Sequence, residues 1–384
     1  MRRPLRPSPP PRCVRVLLAV LAAAGCAREP QGPPAIGFTY AFQDTLFRAF
    51  LEREIERERP EGAVRIVVRG ADDAAVGAGS LGAEVRWATR LAADPRVIVS
   101  VGPDGSREAL QVAPIYRGAG VPDLVPTGTS RLLADAGPQT IALPPNDSVQ
   151  AEVFAAFADT ALRAQRVRVL HIPDEYGVGL ARFAEAALRR RGIAVGARVT
   201  VRQGADCRVA ADSTAFALAV EEAARDAAPD VVLIATRTRE GACLTAALKR
   251  RLPTVRIVLG DGVDVSEEFR TRAAAAAVGV HAMLFWHASV GRRDAADLAA
   301  RFEREVGRPM RSGEAMYLDG ARLAATAIRT VGADRAAVLA WLQGVGTRTP
   351  PYVGITGEFS FAPGARRPIY IGRFDGRDFT IVAR

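Results

Sequence analysis

Lysine and asparagine are almost missing from this chain: Lys249 and Asn146 are the only examples among 384 residues. Histidine is scarce too, with His171, His281 and His287 far apart on strand-like segments, an arrangement that suits structural roles better than a metal or catalytic set. The four cysteines form no Cys-x-x-Cys pair and have no histidine nearby, which excludes the usual zinc spacings. There is no P-loop pattern and no G-x-S-x-G elbow, so nucleotide hydrolysis and esterase chemistry lack their signatures. The apolar run at 16–25 has only ten residues, too few to cross a bilayer core of roughly 30 Å. With 49% hydrophobic and 24% charged residues, a disordered chain, a collagen-like fibre and a multi-pass membrane protein are all excluded.

Arginine is abundant. The formal charge is +10, but Arg2, Arg3, Arg6, Arg12 and Arg15 precede residue 26 with no acid among them; from there onward 47 basic residues face 42 acidic ones. The general preference for Arg, Ala, Pro and Gly is compositional, so the arginines do not indicate a nucleic-acid partner. A basic, proline-rich start followed by ten apolar residues and Ala22-Ala23-Ala24-Gly25-Cys26 has the layout of a bacterial export signal. Cys26 stands where a lipobox places the lipidated cysteine, although Ala23 replaces the preferred Leu; the alternative is an ordinary signal cut near Ala24. Residues 1–25 are therefore expected to be a lipoprotein signal peptide and 26–34 a tether. The chain would be exported to the periplasm or outer cell surface and touch the membrane through lipid on Cys26. Cys207 and Cys243 then remain, and an oxidising compartment favours a disulfide between them over two separate buried thiols.

Beyond the tether, apolar runs alternate with helical periodicity. Strands are expected at 35–40, 63–68, 97–101, 123–125 and 140–143, with helices at 46–55, 74–91 and 106–116. After Pro144-Pro145 the rhythm restarts, with strands at 167–171, 194–201, 231–235 and 257–259 and helices at 175–191, 214–226 and 240–251. Three further helices and two or three short strands close the chain. This pattern predicts an α/β protein with two doubly wound parallel-sheet lobes. The late helices would return to the first sheet and the last strands to the second. A cleft at the carboxyl ends of the strands is where a ligand belongs.

Gly77-Ala78-Gly79-Ser80-Leu81-Gly82 satisfies G-x-G-x-x-G, but it begins eight residues after the preceding strand ends, too late for a dinucleotide turn. No cofactor, metal site, catalytic residue or enzyme activity is predicted. More informative are Gly102-Pro103-Asp104-Gly105-Ser106 and Thr127-Gly128-Thr129-Ser130, which follow two strands of one lobe. Their hydroxyls and free backbone N–H groups suit a carboxylate, although plain N-capping is a competing explanation.

Several stretches together resemble the solute-binding proteins of ABC importers for branched-chain amino acids. They are Pro126-Thr127-Gly128-Thr129-Ser130, the run from His171-Ile172-Pro173-Asp174-Glu175-Tyr176 to Ala181, Gly260-Asp261-Gly262 followed by Phe269, Ala315-Met316-Tyr317-Leu318-Asp319-Gly320-Ala321, and Gly354-Ile355-Thr356-Gly357 with Glu358-Phe359-Ser360-Phe361. The likeness runs in order from about residue 36 to the carboxyl end. It implies a leucine-binding-protein-like type I periplasmic-binding fold whose three-crossover hinge joins an N-terminal lobe (35–145 and 287–350) to a C-terminal lobe (146–286 and 351–384). It also implies capture of a small amino acid, amide or other carboxylate and delivery to an ABC permease in the membrane. By position, Gly105, Ser106, Gly128 and Thr129 would hold the ligand carboxylate and Tyr176 would close over the ligand. Asp261, or Gly262 in another alignment, would face the ligand ammonium. Arg237 stands where an aromatic often touches the ligand, and with Arg107 and Arg131 it would favour an acidic group if it points inward rather than to solvent. The first loop, Tyr40-Ala41-Phe42-Gln43, is shorter than in that family. An alternative function is therefore an envelope lipoprotein regulator that uses the same fold for protein–protein contact, for example to activate cell-wall synthesis.

Overall fold

Parallel pairing sets the element boundaries. The computed structural model describes residues 32–38, 44–70, 81–225 and 227–384. The expected export signal, Cys26, the first-loop residues Tyr40–Gln43 and most of the glycine motif at 77–82 lie outside them. Strand β1 (Ala35–Phe38) has only four residues, and β2 (Val67–Gly70) pairs with it from Ala35↔Val67 to Phe38↔Gly70. The strand expected at 63–68 therefore starts later, because the ladder has no partner for 63–66. Helix α1 (Thr45–Arg57) is capped by Asp44, whose carboxylate accepts from the N–H groups of Leu46 and Phe47. Then follow α2 (Leu81–Ala93), β3 (Val97–Val101), α3 (Ser106–Ala119), β4 (Asp123–Val125) and β5 (Thr140–Ala142). The first sheet is wholly parallel in the order β2-β1-β3-β4-β5.

The chain then crosses to a second sheet through α4 (Asp147–Thr160), which packs on α5 (Glu175–Arg190). Along this half run β6 (Arg166–His171), β7 (Ala194–Val195), β8 (Val199–Thr200), α6 (Ala210–Ala224), β9 (Val231–Ala235), α7 (Thr238–Arg251), β10 (Arg256–Leu259), α8 (Glu267–Ala273) and β11 (His281–Leu284). A second crossover leads to α9 (Arg293–Val306), α10 (Ser312–Val331) and α11 (Arg335–Gly344), which pack against α1 and the first sheet. Phe302 of α9 meets Phe47 and Phe50 edge-on, with ring centroids 6.3 and 5.0 Å apart. The guanidinium of Arg335 donates to the carbonyls of Ala92, Asp94, Val97 and Ala119, tying α11 to the lower rim of the first sheet. A small antiparallel hairpin, β12 (Tyr352–Gly354) and β13 (Gly357–Phe359), lies on the third crossover. Finally β14 (Tyr370–Phe374) and β15 (Phe379–Ala383) add antiparallel strands to the second sheet, ordered β15-β14-β11-β10-β9-β6-β7 with β8 also on β6. None of the described helices is long and apolar enough to cross a membrane.

The crossovers are clamped together. Asp319 of α10, fully buried, accepts from Ile355 N at 2.9 Å, Thr356 N at 2.8 Å and the Thr356 hydroxyl at 2.6 Å. Its carboxylate lies so close to Gly354 that a Cβ there would collide with it, which explains a glycine at that point. Arg367 stacks on Phe359, 3.7 Å from the ring centroid, and donates to the Leu143 carbonyl at 2.6 Å and to the Thr356 hydroxyl at 2.5 Å. Leu143 is on the first crossover and Thr356 and Arg367 are on the third, so one side chain joins two of them. Elsewhere Cys207 and Cys243 form a disulfide that ties the loop before α6 to α7. Asp206 beside it is held by Arg208 and Arg272, which keep its carboxyl well below the usual range. With both sulfurs oxidised and the acid paired, this group has no free metal donor set.

Candidate functional site

On the first lobe, the loops after β3 and β4 are joined by a single hydroxyl. Ser106, 1% exposed, accepts from the backbone N–H of Thr129 at 3.1 Å and of Ser130 at 3.0 Å. With both lone pairs used, its proton is what remains to offer a guest. Thr129 is equally buried, and its hydroxyl makes no well-formed hydrogen bond. Gly105 has φ of +100°, and a Cβ there would lie 2.5 Å from a guanidinium nitrogen of Arg237. Gly128 is a packing glycine, since a Cβ would lie 2.6 Å from Val125. The structure thus brings Gly105, Ser106, Gly128 and Thr129 to one place at the start of α3, where unused backbone N–H groups and the helix dipole favour an anion.

The second lobe supplies the opposite wall. Asp174 caps α5, accepting from Gly177 N at 2.7 Å, and so places Tyr176 in the helix's first turn. Tyr176, 1% exposed, accepts from Gly262 N at 2.9 Å, and burial pushes its phenol well above its ordinary pKa. A Cβ on Gly262 would lie 2.7 Å from the Tyr176 ring, so the Gly260-Asp261-Gly262 stretch is shaped around that ring. Asp261 between the two glycines has one carboxylate oxygen without a partner. Desolvation raises its pKa to about 6, while the neighbouring Tyr176 hydroxyl and Gln150 amide work against that rise.

Arg237, just before α7, reaches across the gap. Its Nη2 lies 3.5 Å from Glu108 of α3 and 3.5 Å from Asp174, and its guanidinium sits 5.2 Å from the Tyr176 ring centroid. Both ion pairs are long, and a quarter of the side chain (26%) is still accessible. Two further contacts span the lobes: Arg107 donates to Gln203 at 2.9 Å, and Arg311 donates to Asp264 at 2.8 Å. The strand tips of the two sheets therefore face one gap.

Two residues of the gap have no counterpart in the sequence reading. Asp147 and Gln150, in the first turn of α4, are both fully buried; neither Asp147 oxygen and neither Gln150 amide atom makes a well-formed hydrogen bond, although the Thr129 hydroxyl lies beside Asp147 and the Gln150 amide beside Asp261. Desolvation raises the Asp147 pKa to about 8; the Thr129 hydroxyl opposes this, and the nearby Asp261 and Asp174 add to it. The sequence hides Asp147, because Asn146 caps α4 and an acid at the next position reads as ordinary helix-dipole compensation. His171, the histidine nearest the cleft edge, donates or accepts only locally: Nδ1 lies 2.9 Å from the Ile172 carbonyl and Nε2 3.4 Å from Thr200. Glu108, Asp147, Asp174 and Asp261 all lie near the Arg237 guanidinium, and Asp147 also adjoins the loop after β4, its backbone N–H donating to the Thr129 carbonyl at 2.8 Å. The gap sets hydrogen-bond donors beside an excess of buried acid.

Residues 67–377 match the family model described as periplasmic binding protein. No curated protein sequence matches the chain. Among solved structures, a leucine-binding protein LivK from Thermotoga maritima superposes with a TM-score of 0.76 at 19% identity, over 91% of this chain and 98% of that one. The branched-chain amino-acid transporter substrate-binding protein LivJ from Streptococcus pneumoniae, in complex with isoleucine, gives 0.78 at 17% identity, over 92% and 100%. A solute-binding protein of an ABC transporter from R. palustris, in complex with 4-hydroxybenzoate, gives 0.75 at 15% identity, over 91% and 96%. These neighbours share the type I periplasmic-binding architecture of two parallel-sheet lobes. On the family match across most of its length, the chain belongs to the periplasmic binding proteins, a family of extracytoplasmic substrate-binding components rather than enzymes.

Proposed function

We propose that this protein is an exported, lipid-anchored receptor that captures a small amino acid between its lobes and presents it to an ABC permease. One observation carries the reading: the Thr129 hydroxyl, the Gln150 amide, both Asp147 oxygens and one Asp261 oxygen converge from both lobes, buried and without a well-formed hydrogen bond. Buried groups of this kind are costly unless something satisfies them. A ligand carboxylate at Ser106, Thr129 and Arg237, with its ammonium against Asp147 and Asp261, would do so. Tyr176 would form the wall over the ligand, Gly105 would leave room for Arg237 beside the ligand's carboxylate, and Gly128 would hold its loop against Val125. Such a ligand touches both lobes, which is what shifts the protein toward closure. The lipid on Cys26 would keep the receptor beside its permease.

One observation favours the regulator reading, in which the fold serves protein–protein contact. Arg237 already bridges Glu108 and Asp174 and so closes the gap without a guest. A calorimetric titration with a panel of amino acids separates the two. Binding at micromolar or tighter affinity, lost in Asp147→Asn, supports the receptor; no heat with any amino acid, and no shift in melting temperature, rejects it in favour of the regulator.

A further inference from the structure

Beside Asp147, between the loop 130–132 of the first lobe and helix α5 of the second, lies an open chamber of about 390 Å³. That volume is in the range of small-molecule sites. Asp147 lines this chamber as well as the central gap, so a ligand gripped by Asp147 can extend into it. The α5 wall is graded along the helix. Asp174 and Glu175 stand at its start, Val178 and Gly179 one turn on, and Arg182 and Phe183 a turn beyond. Positions four apart share a helix face, so the wall runs from acidic through apolar to basic. Gly179 leaves room for the acid: a Cβ there would lie 2.7 Å from an Asp147 oxygen.

The facing wall repeats the far end of this gradient. Leu132, 54% exposed, and Val178, 41% exposed, present apolar surface to the chamber. Arg131 and Arg182 lie over the Phe183 ring, at 5.8 and 5.1 Å from its centroid, and neither forms an ion pair with a described residue. Two unpaired guanidiniums from opposite lobes thus meet at one aromatic ring. From Gly179 to Arg182 and Phe183 is about one helical turn, and with the reach of the arginines the span from acid to cation is roughly 5–10 Å. A five- to seven-carbon chain covers that length.

We propose that this chamber is the specificity pocket of the site, and that the ligand is an α-amino dicarboxylate whose apolar stem lies on Leu132, Val178 and Phe183 and whose distal carboxylate is held by Arg131 and Arg182. The assignment rests on the amino-acid reading above and adds the ligand class. It also adds a second grip across the lobes, since Arg131 and Arg182 belong to different ones. A carboxylate between them would draw the lobes together at a point remote from Arg237.

The test is calorimetry of the protein with 2-aminoadipate, 2-aminopimelate and norleucine, repeated with Arg131→Gln/Arg182→Gln. Both arginines are exposed, and a thermal melt matching the parent verifies that the variant folds. The expected result is that at least one dicarboxylate binds tenfold or more tighter than norleucine, and that the double variant removes this preference while norleucine affinity stays the same. Equal or tighter binding of norleucine, or a preference that survives in the double variant, overturns the chamber assignment and leaves the amino-acid reading standing. Failure of all three compounds to bind overturns the chamber assignment, and failure of the whole amino-acid panel overturns both.

Discussion

Asp147 and Asp319 are both fully buried aspartates, one in the gap between the lobes and one at the crossovers. Asp319 has three donors within 3 Å and Arg367 nearby, so its charge is distributed into the hinge. Asp147 makes no well-formed hydrogen bond, and beside the Thr129 hydroxyl its neighbours include the carboxylates of Asp261 and Asp174. The same residue type at the same burial therefore does different work: Asp319 is a rivet of the hinge, whereas Asp147 keeps its hydrogen-bonding capacity unused in the gap. Burial without partners is not sufficient by itself. Asp123 is also buried without a well-formed hydrogen bond, but it lies inside the first sheet beside Ser100 and Tyr116 and does not line the chamber next to Asp147. What distinguishes Asp147 is its place where two lobes meet.

The largest expected effect is at the rivet. Asp319→Ala leaves the N–H groups of Ile355 and Thr356 and the Thr356 hydroxyl without an acceptor. It should cost about 3–5 kcal/mol and lower the melting temperature by roughly 5 °C or more, read by calorimetric or fluorescence melts. A melt unchanged from the parent would remove the clamp from the account of the hinge.

Asp147→Asn should act in the opposite sense on stability. Amino-acid affinity should fall by about 100-fold or more, the loss typical of a buried charge-assisted contact. The ligand-free variant should melt higher than the parent at pH 8, because an amide needs no buried charge. A variant that loses stability without losing binding would make Asp147 a second rivet.

The pH dependence follows from the same carboxyl. Its folded pKa, about 8, is above the ordinary aspartate value of 3.8. The stability linked to its proton is thus fully present below pH 3.8 and is lost as pH rises toward 8. Binding an ammonium requires the ionised form, so affinity should weaken as pH falls from 8, approaching tenfold per unit, and further below about 6 as Asp261 protonates. Titrations in buffers of different ionisation heat should show proton release on binding at pH 7. Affinity flat from pH 8.5 to 5.5 would mean that neither acid meets the ligand.

Arg237→Ala is the smallest change. Its two ion pairs are 3.5 Å long and partly solvated, so stability should change little, by about 1 kcal/mol. Binding of a ligand carboxylate should weaken by roughly tenfold. Small-angle scattering of the ligand-free variant should show a more open particle if Arg237 holds the lobes together. An unchanged radius of gyration would assign that task to the Arg107–Gln203 and Arg311–Asp264 contacts.

Much of this was legible in the chain. The apolar run at 97–101 and the glycine-hydroxyl loops after it marked a strand and a candidate anion site, and the structure gathers Ser106 and Thr129 as neighbours. The stretches around Asp319 and Gly354 were visible as a resemblance, but the reason for them was not. A carboxylate of one and the missing Cβ of the other meet across 35 residues of sequence. Asp147 was invisible because its local signal is that of any acid opening a helix after an asparagine cap. Arg131 and Arg182 were invisible as a pair because 51 residues and a lobe boundary separate them.

Period and turn chemistry act over a few residues, so sequence by itself determined the alternation of strand and helix, the doubly wound class and the loops at the strand tips. Burial, partner count and the sum of nearby charge depend on which segments are packed together. Only the tertiary structure, therefore, decided that one aspartate is satisfied and another is not, and that four acids gather around one arginine in the gap.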